Sequence, residues 1–200
     1  MYKEDIIFVS DFFIEDVPQG GAETCNRELV KNLQQKYKVL ELQSQKLDET
    51  FIDHHRDCLY ILGSFYLIPK KSLELLKTLN YIIYEHDHKY LANRNPAAFV
   101  DFLAPQEDIK FQDLYEEANL VICQSKFHEN IIKKNLSETA LKATESWQLK
   151  DANDAWKDAI NMYFDGYFGL HPQIILDRTA LAPETFYQIV DQTIGKEKLK

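Results

Sequence analysis

No apolar run in the sequence approaches the roughly 20 residues needed to cross a bilayer. The N-terminus, Met1-Tyr2-Lys3-Glu4-Asp5, passes into a short apolar stretch without the longer hydrophobic core of a secretion signal. No membrane span is expected, and the protein is read as cytoplasmic. Cysteine is scarce. Cys25, Cys58 and Cys123 are odd in number and lack metal-site spacing, and two of them sit in apolar segments where a buried thiol is usual. Such usage suits a reducing compartment. Positive charge is also in short supply: 23 Lys and Arg against 32 Asp and Glu give a net charge of −9. The basic clusters, Lys133-Lys134 and the Lys196 to Lys200 end, are too short and too terminal to offset this, so nucleic acid and anionic membrane surfaces are excluded as partners. The dinucleotide fingerprint G-x-G-x-x-G is missing as well, which argues against a nicotinamide or flavin enzyme; no cofactor is expected. Internal repeats and low-complexity segments are absent.

What is present is an alternation, over residues 1–142, of short β-branched apolar runs with longer stretches of helical period. Five strands are predicted: Asp5 to Ser10, Tyr37 to Gln43, Cys58 to Gly63, Tyr81 to Glu85 and Asn119 to Gln124. Helices are predicted at Ala22 to Lys36, Pro69 to Leu79, Asp108 to Ala118 and Lys126 to Asn135, with a partial helix within Ser44 to Arg56. Continuous rather than alternating apolar strands imply burial on both faces, hence a central parallel sheet. The expected class is therefore α/β, a Rossmann-like parallel sheet flanked by helices. Ligands of such sheets bind at the edge formed by the strand C-termini. From about Ala143 the pattern changes. Trp147, Ala152, Ala155, Trp156, Ala159, Ile160 and Tyr163 recur at helical spacing, and Pro183 opens a stretch carrying Phe186, Ile189, Val190 and Ile194. Residues 143–200 read as a helical C-terminal extension.

Three motifs fall at the strand C-termini. The loop after the first strand, Ser10 to Glu23, ends in Gly20-Gly21 at a helix start, where bare glycine backbone and the helix dipole suit an anionic ligand. The same pair also makes an ordinary tight turn. After the fourth strand come Glu85-His86-Asp87-His88, then Tyr90 and Arg94. Ionisable groups crowded at the end of a central strand are candidates for binding or chemistry, although hydrogen bonding of the following loop also accounts for them. His86 and His88 would face the same way if the strand continued. Two histidines with flanking acids and no separated third ligand fall short of a metal site. Ser125, after the fifth strand, is explained by capping the next helix.

Taken together, Gly-Gly-Ala-Glu at a helix start, a strand ending in Glu-His-Asp-His, and Asn-Leu-Val-Ile-Cys-Gln-Ser-Lys-Phe-His before a helix resemble the N-terminal domain of family 4 glycosyltransferases. The resemblance covers roughly residues 3 to 136 and implies one half of a GT-B architecture. It places Gly20 and Gly21 near a donor diphosphate or the acceptor, His86 at the reaction centre against the transferred sugar, and Ser125 on the border of the cleft. Glu85, Asp87, His88 and Arg94 match no family position and stand as candidates for acceptor recognition. The family's second domain holds the donor with an Arg, a Lys and a Glu-x7-Glu pair. Here the pairs at that spacing, Glu15 with Glu23 and Glu41 with Glu49, lie in the first domain away from the required junction and count as chance.

The resemblance therefore implies retaining, metal-independent transfer from a nucleotide sugar to an acceptor, either with a partner subunit supplying the donor side or with a reduced site of the chain's own; a small-molecule binding protein or an enzyme of another class on the same fold also stays open. The alternative is an inactive, truncated domain serving as a binding or oligomerisation module, its aromatic stretch from Trp147 to Phe168 forming a homo-oligomer or partner contact. That stretch also suits packing on the chain's own first domain.

Overall fold

The computed structural model describes residues 4–13, 15, 21–136 and 144–146. The expected extension beyond 146, with its aromatic stretch, lies outside the described residues, as does Gly20. The chain runs β1 (Ile6–Ser10), α1 (Gly21–Leu33), β2 (Val39–Gln43), α2 (Glu49–His54), β3 (Leu59–Leu62), α3 (Lys70–Leu76), β4 (Tyr81–Tyr84), α4 (Gln112–Glu117), β5 (Leu120–Cys123), α5 (Lys126–Asn135) and β6 (Thr144–Ser146). The architecture is α/β, a Rossmann-like sheet flanked by helices. All six strands are parallel, in the order β2-β1-β3-β4-β5-β6.

The continuous apolar strands are explained by their two buried faces. Ile7, Val9, Tyr60, Leu62, Ile83 and Val121 pack with Ile52 of α2, Leu76 of α3, Leu114 of α4 and Ile132 of α5. Ile6, Phe8, Ile61, Ile82, Tyr84 and Ile122 form a second core with Val30 and Leu33 of α1. Handedness produces this division. The crossover from β1 to β2 runs opposite to the later ones, and right-handed connections of opposite direction place their helices on opposite faces. The reversal puts the topological switch point, where ligands of doubly wound sheets settle, between the C-terminal ends of β1 and β3.

Two elements differ from expectation. The helix expected over 108–118 is confined to Gln112–Glu117. The Lys110 amide is drawn 2.6 Å from the Tyr90 carbonyl, Ile109 bridges Leu91, and Phe111 enters the left-handed region at φ 52°. Pairing with the loop after β4 thus overrides the helical periodicity there. The second difference is β6, three residues beyond position 143 that pair Thr144 with Val121 and Ser146 with Cys123. A strand of this length and polarity carries little apolar signal, as is usual at a sheet edge.

Candidate functional site

The three loops at the switch point converge on one carboxylate. Asp11, directly after β1 and only 4% exposed, accepts hydrogen bonds from the Ser44 hydroxyl after β2 and the Ser64 hydroxyl after β3. It also accepts from the backbone amides of Tyr66 at 3.2 Å and Leu67 at 3.1 Å. Four donors around one anion is the pattern of an anion-binding nest. Here the anion is the chain's own side chain, and it fastens the loops after β1, β2 and β3 to one another.

The segment after β4 is organised by a second carboxylate. Glu85 is fully buried, and its Oε1 accepts from the amides of His86 and Asp87, each at 3.0 Å, while its Oε2 accepts from the Tyr115 hydroxyl. Lys89, 3% exposed, places Nζ 3.4 Å from Glu85 and against Asp87. Arg94 donates to the other Asp87 oxygen at 3.0 Å, and its guanidinium lies 4.3 Å above the Tyr66 ring. The Tyr66 hydroxyl in turn donates to the Lys89 carbonyl at 2.9 Å. Burial alone would raise the Asp87 carboxyl, but the Lys89 and Arg94 cations outweigh it and hold the group below its usual range. Burial would likewise lower the Lys89 ammonium, yet Glu85 and Asp87 raise it. Only Lys89 and Glu85 in this set are buried, and removing Glu85 or Lys89 weakens a buried pair, at a cost of about 3–5 kcal/mol, whereas Asp87 and Arg94 are partly exposed and screened by solvent.

His86 points to the other side. Its Nε2 lies 2.8 Å from Asn26 Oδ1 on α1, and its Nδ1 lies 3.1 Å from Gln124 Nε2 after β5. Asn26, 3% exposed, reaches on to Ser10 Oγ at 3.5 Å. Gly63 at the end of β3 makes room for it: a Cβ there would stand 2.9 Å from Asn26 Nδ2 and 3.1 Å from the Phe8 ring. Burial first, and the Lys89 ammonium second, push the His86 imidazole down to about 3, with Asp87 opposing.

His88 does not share His86's direction, because the strand stops at Tyr84. At φ 56° the backbone turns His88 toward α5, its ring 4.1 Å from that of His128 and its Nδ1 3.3 Å from the Tyr90 hydroxyl. Burial pushes it down to about 4. Of the other residues singled out in the sequence, Gly21 is the first, half-buried residue of α1, and Ser125 caps α5 by accepting from the His128 amide at 3.1 Å. The structure thus brings the first helix, His86 and the end of β5 together, and places His88 apart.

Asp11, Asn26, Lys89 and Tyr115 escaped the sequence reading, and Gln124 stood out only as the neighbour of Ser125. Asn26 sits mid-helix and Tyr115 reads as a core aromatic. Asp11 had the best available signal, a carboxylate immediately after the first strand. Among the described residues no group of three or more His, Cys, Asp or Glu side chains could hold a metal ion, and no helix is long and apolar enough to cross a membrane. Away from these residues, a groove of about 280 Å³ runs between Leu73 of α3, with Lys77 just after it, and Phe111 and Asp113 at the start of α4. Comparison of the chain with protein-family models, with curated proteins and with solved structures gives no match.

Proposed function

We propose that this chain is a glycosyltransferase-like domain that takes a nucleotide sugar at the C-terminal edge of its sheet. The observation that carries the reading is the single hydrogen-bonded line from Asn26 through His86 to Gln124. It joins the three motifs on which the resemblance rests: the helix opened by Gly21, the strand ending before His86, and the β5 end preceding Ser125. In this reading the amides of the first turn of α1 meet a phosphate or sugar oxygen, and His86 borders the transferred sugar. Transfer, with retention and without a metal, then requires the diphosphate charge to be stabilised from outside this segment, since Lys89 and Arg94 are both bonded to carboxylates. A partner subunit or the residues beyond 146 supply that cation.

A second reading, a sugar-nucleotide binding module without turnover, is favoured by the same line. Both ring nitrogens of His86 are engaged by the chain's own amides, which leaves no ring nitrogen for proton transfer.

Both readings predict binding, and a thermal-shift titration against uridine, guanosine and adenosine diphosphate sugars tests it. A ligand that binds only the folded state raises Tm with the logarithm of its concentration above Kd. One nucleotide class is expected to stabilise the wild type and to lose its effect in Gly21→Asp, where a carboxylate enters the phosphate position. No response to any of them would remove both readings. Turnover with an acceptor panel then separates transferase from module.

A further inference from the structure

The His86 line has a property that the proposed function does not use. The carbonyl oxygen of Glu85 lies 3.0 Å from Gln124 Nε2 and can only accept, so the Gln124 amide must present its NH2 group there. That same nitrogen is 3.1 Å from His86 Nδ1, which must therefore be the acceptor and carry no proton. A neutral ring then bears its hydrogen on Nε2, where it donates to Asn26 Oδ1 at 2.8 Å. The Asn26 NH2 group is left facing Ser10 Oγ. One backbone carbonyl thus sets the orientation of two amides and one imidazole.

We infer that Asn26 and Gln124 are positioning residues that hold His86 as a neutral, Nε2-protonated ring, so that it ties α1 to the ends of β4 and β5 without exchanging a proton. A second proton on Nδ1 would face the Gln124 NH2, donor against donor, and Gln124 cannot turn without breaking its bond to Glu85. The surroundings agree on every side. From α1 and β5 the facing side chains, Asn26 and Gln124, are uncharged. The Tyr84 ring stands edge-on at 4.4 Å, with its hydroxyl raised by burial. The Cys25 thiol of α1, which faces Tyr84, is pushed up to about 11 by burial and stays protonated. On His86's own segment Asp87 and Lys89 oppose each other and are paired.

The tie rests on the described geometry alone; only its consequence, that His86 enters any glycosyl transfer as a neutral group, rests on the proposed function. The test is a long-range proton–nitrogen correlation spectrum of the full, nitrogen-15-labelled chain from pH ~7 to pH ~4, a span that crosses the ordinary histidine pKa. His86 is assigned by the signal missing in His86→Gln. The expected spectrum shows a protonated Nε2 and a bare Nδ1 across the range. In Asn26→Asp a carboxylate replaces the amide oxygen, and the His86 midpoint is expected to rise to the ordinary histidine value of about 6.5 or above. If that variant does not fold, Gln124→Glu serves. It places an acceptor against Nδ1 and is expected to bring a proton onto that nitrogen. A wild-type ring protonated at Nδ1, a wild-type midpoint near 6.5, or a midpoint unmoved in the folded variant would overturn the inference. Nucleotide-sugar binding is measured separately, so loss of one leaves the other standing.

Discussion

Asp11 shows how a single buried side chain can hold three loops together. Its carboxylate gathers two hydroxyls and two amides from the loops after β2 and β3, beside the switch point of the sheet. Replacing Asp11 by Ala leaves four donors facing a small void. Each buried donor without a partner costs about 1–3 kcal/mol, so a total loss on the order of 3 kcal/mol is expected after partial rescue by water. Urea unfolding measures it. Asp11→Asn, which keeps one acceptor oxygen, is expected to fall between the two. A loss below about 0.5 kcal/mol in Asp11→Ala, the range of ordinary surface substitutions, would show that the clasp contributes nothing to folding.

Among the elements, the strands and α5 were the most legible in the sequence, and the physical reason is their apolar content. Each of the five expected strands appears within two residues at either end, because runs such as Ile6–Val9 and Leu59–Leu62 have no polar residue to blur them. The helix before β5 was misjudged in length because its N-terminal half is recruited by the Tyr90 loop, a long-range pairing that local periodicity does not encode. β6 was missed because Thr-Glu-Ser has neither apolar alternation nor length. At the site, Glu85, His86, Asp87 and Arg94 stood out as ionisable residues at a strand end. Their pairing did not, because it depends on Lys89 folding back into the core and on Tyr115 reaching across from α4. Burial of its two histidines makes the segment after β4 acid-labile. His86 and His88, depressed to about 3 and about 4 in the fold, would titrate near 6.5 in the unfolded chain. The unfolded state therefore binds more protons between these values, and stability, full above pH ~6.5, is lost as pH falls toward 4 and then 3. Depression of Asp87 acts in the same sense lower in the range. Hydrogen exchange is expected to show the amides of 85–94 opening ahead of β1 and β3 as pH is lowered from 6.5 to 4. Simultaneous loss of all strands, or no change in 85–94, would contradict this.

Over the described residues, the fold reduces to one sheet with two helix-covered faces. α1 is the described helix on its face, and its Asn26, the end of β4 and the end of β5 meet through His86. The proposed function holds that a nucleotide sugar settles beside the start of α1 and the ends of β4 and β5 rather than in the groove between α3 and α4. Amide chemical shifts of the labelled full chain, followed during titration with the diphosphate sugar that stabilises it most, test this directly. Concerted shifts are expected at Gly21 to Glu23, His86, Asp87, Gln124 and Ser125. Shifts confined to the groove around Lys77 and Asp113, or none at saturating ligand, would contradict the assignment of this edge as the binding site.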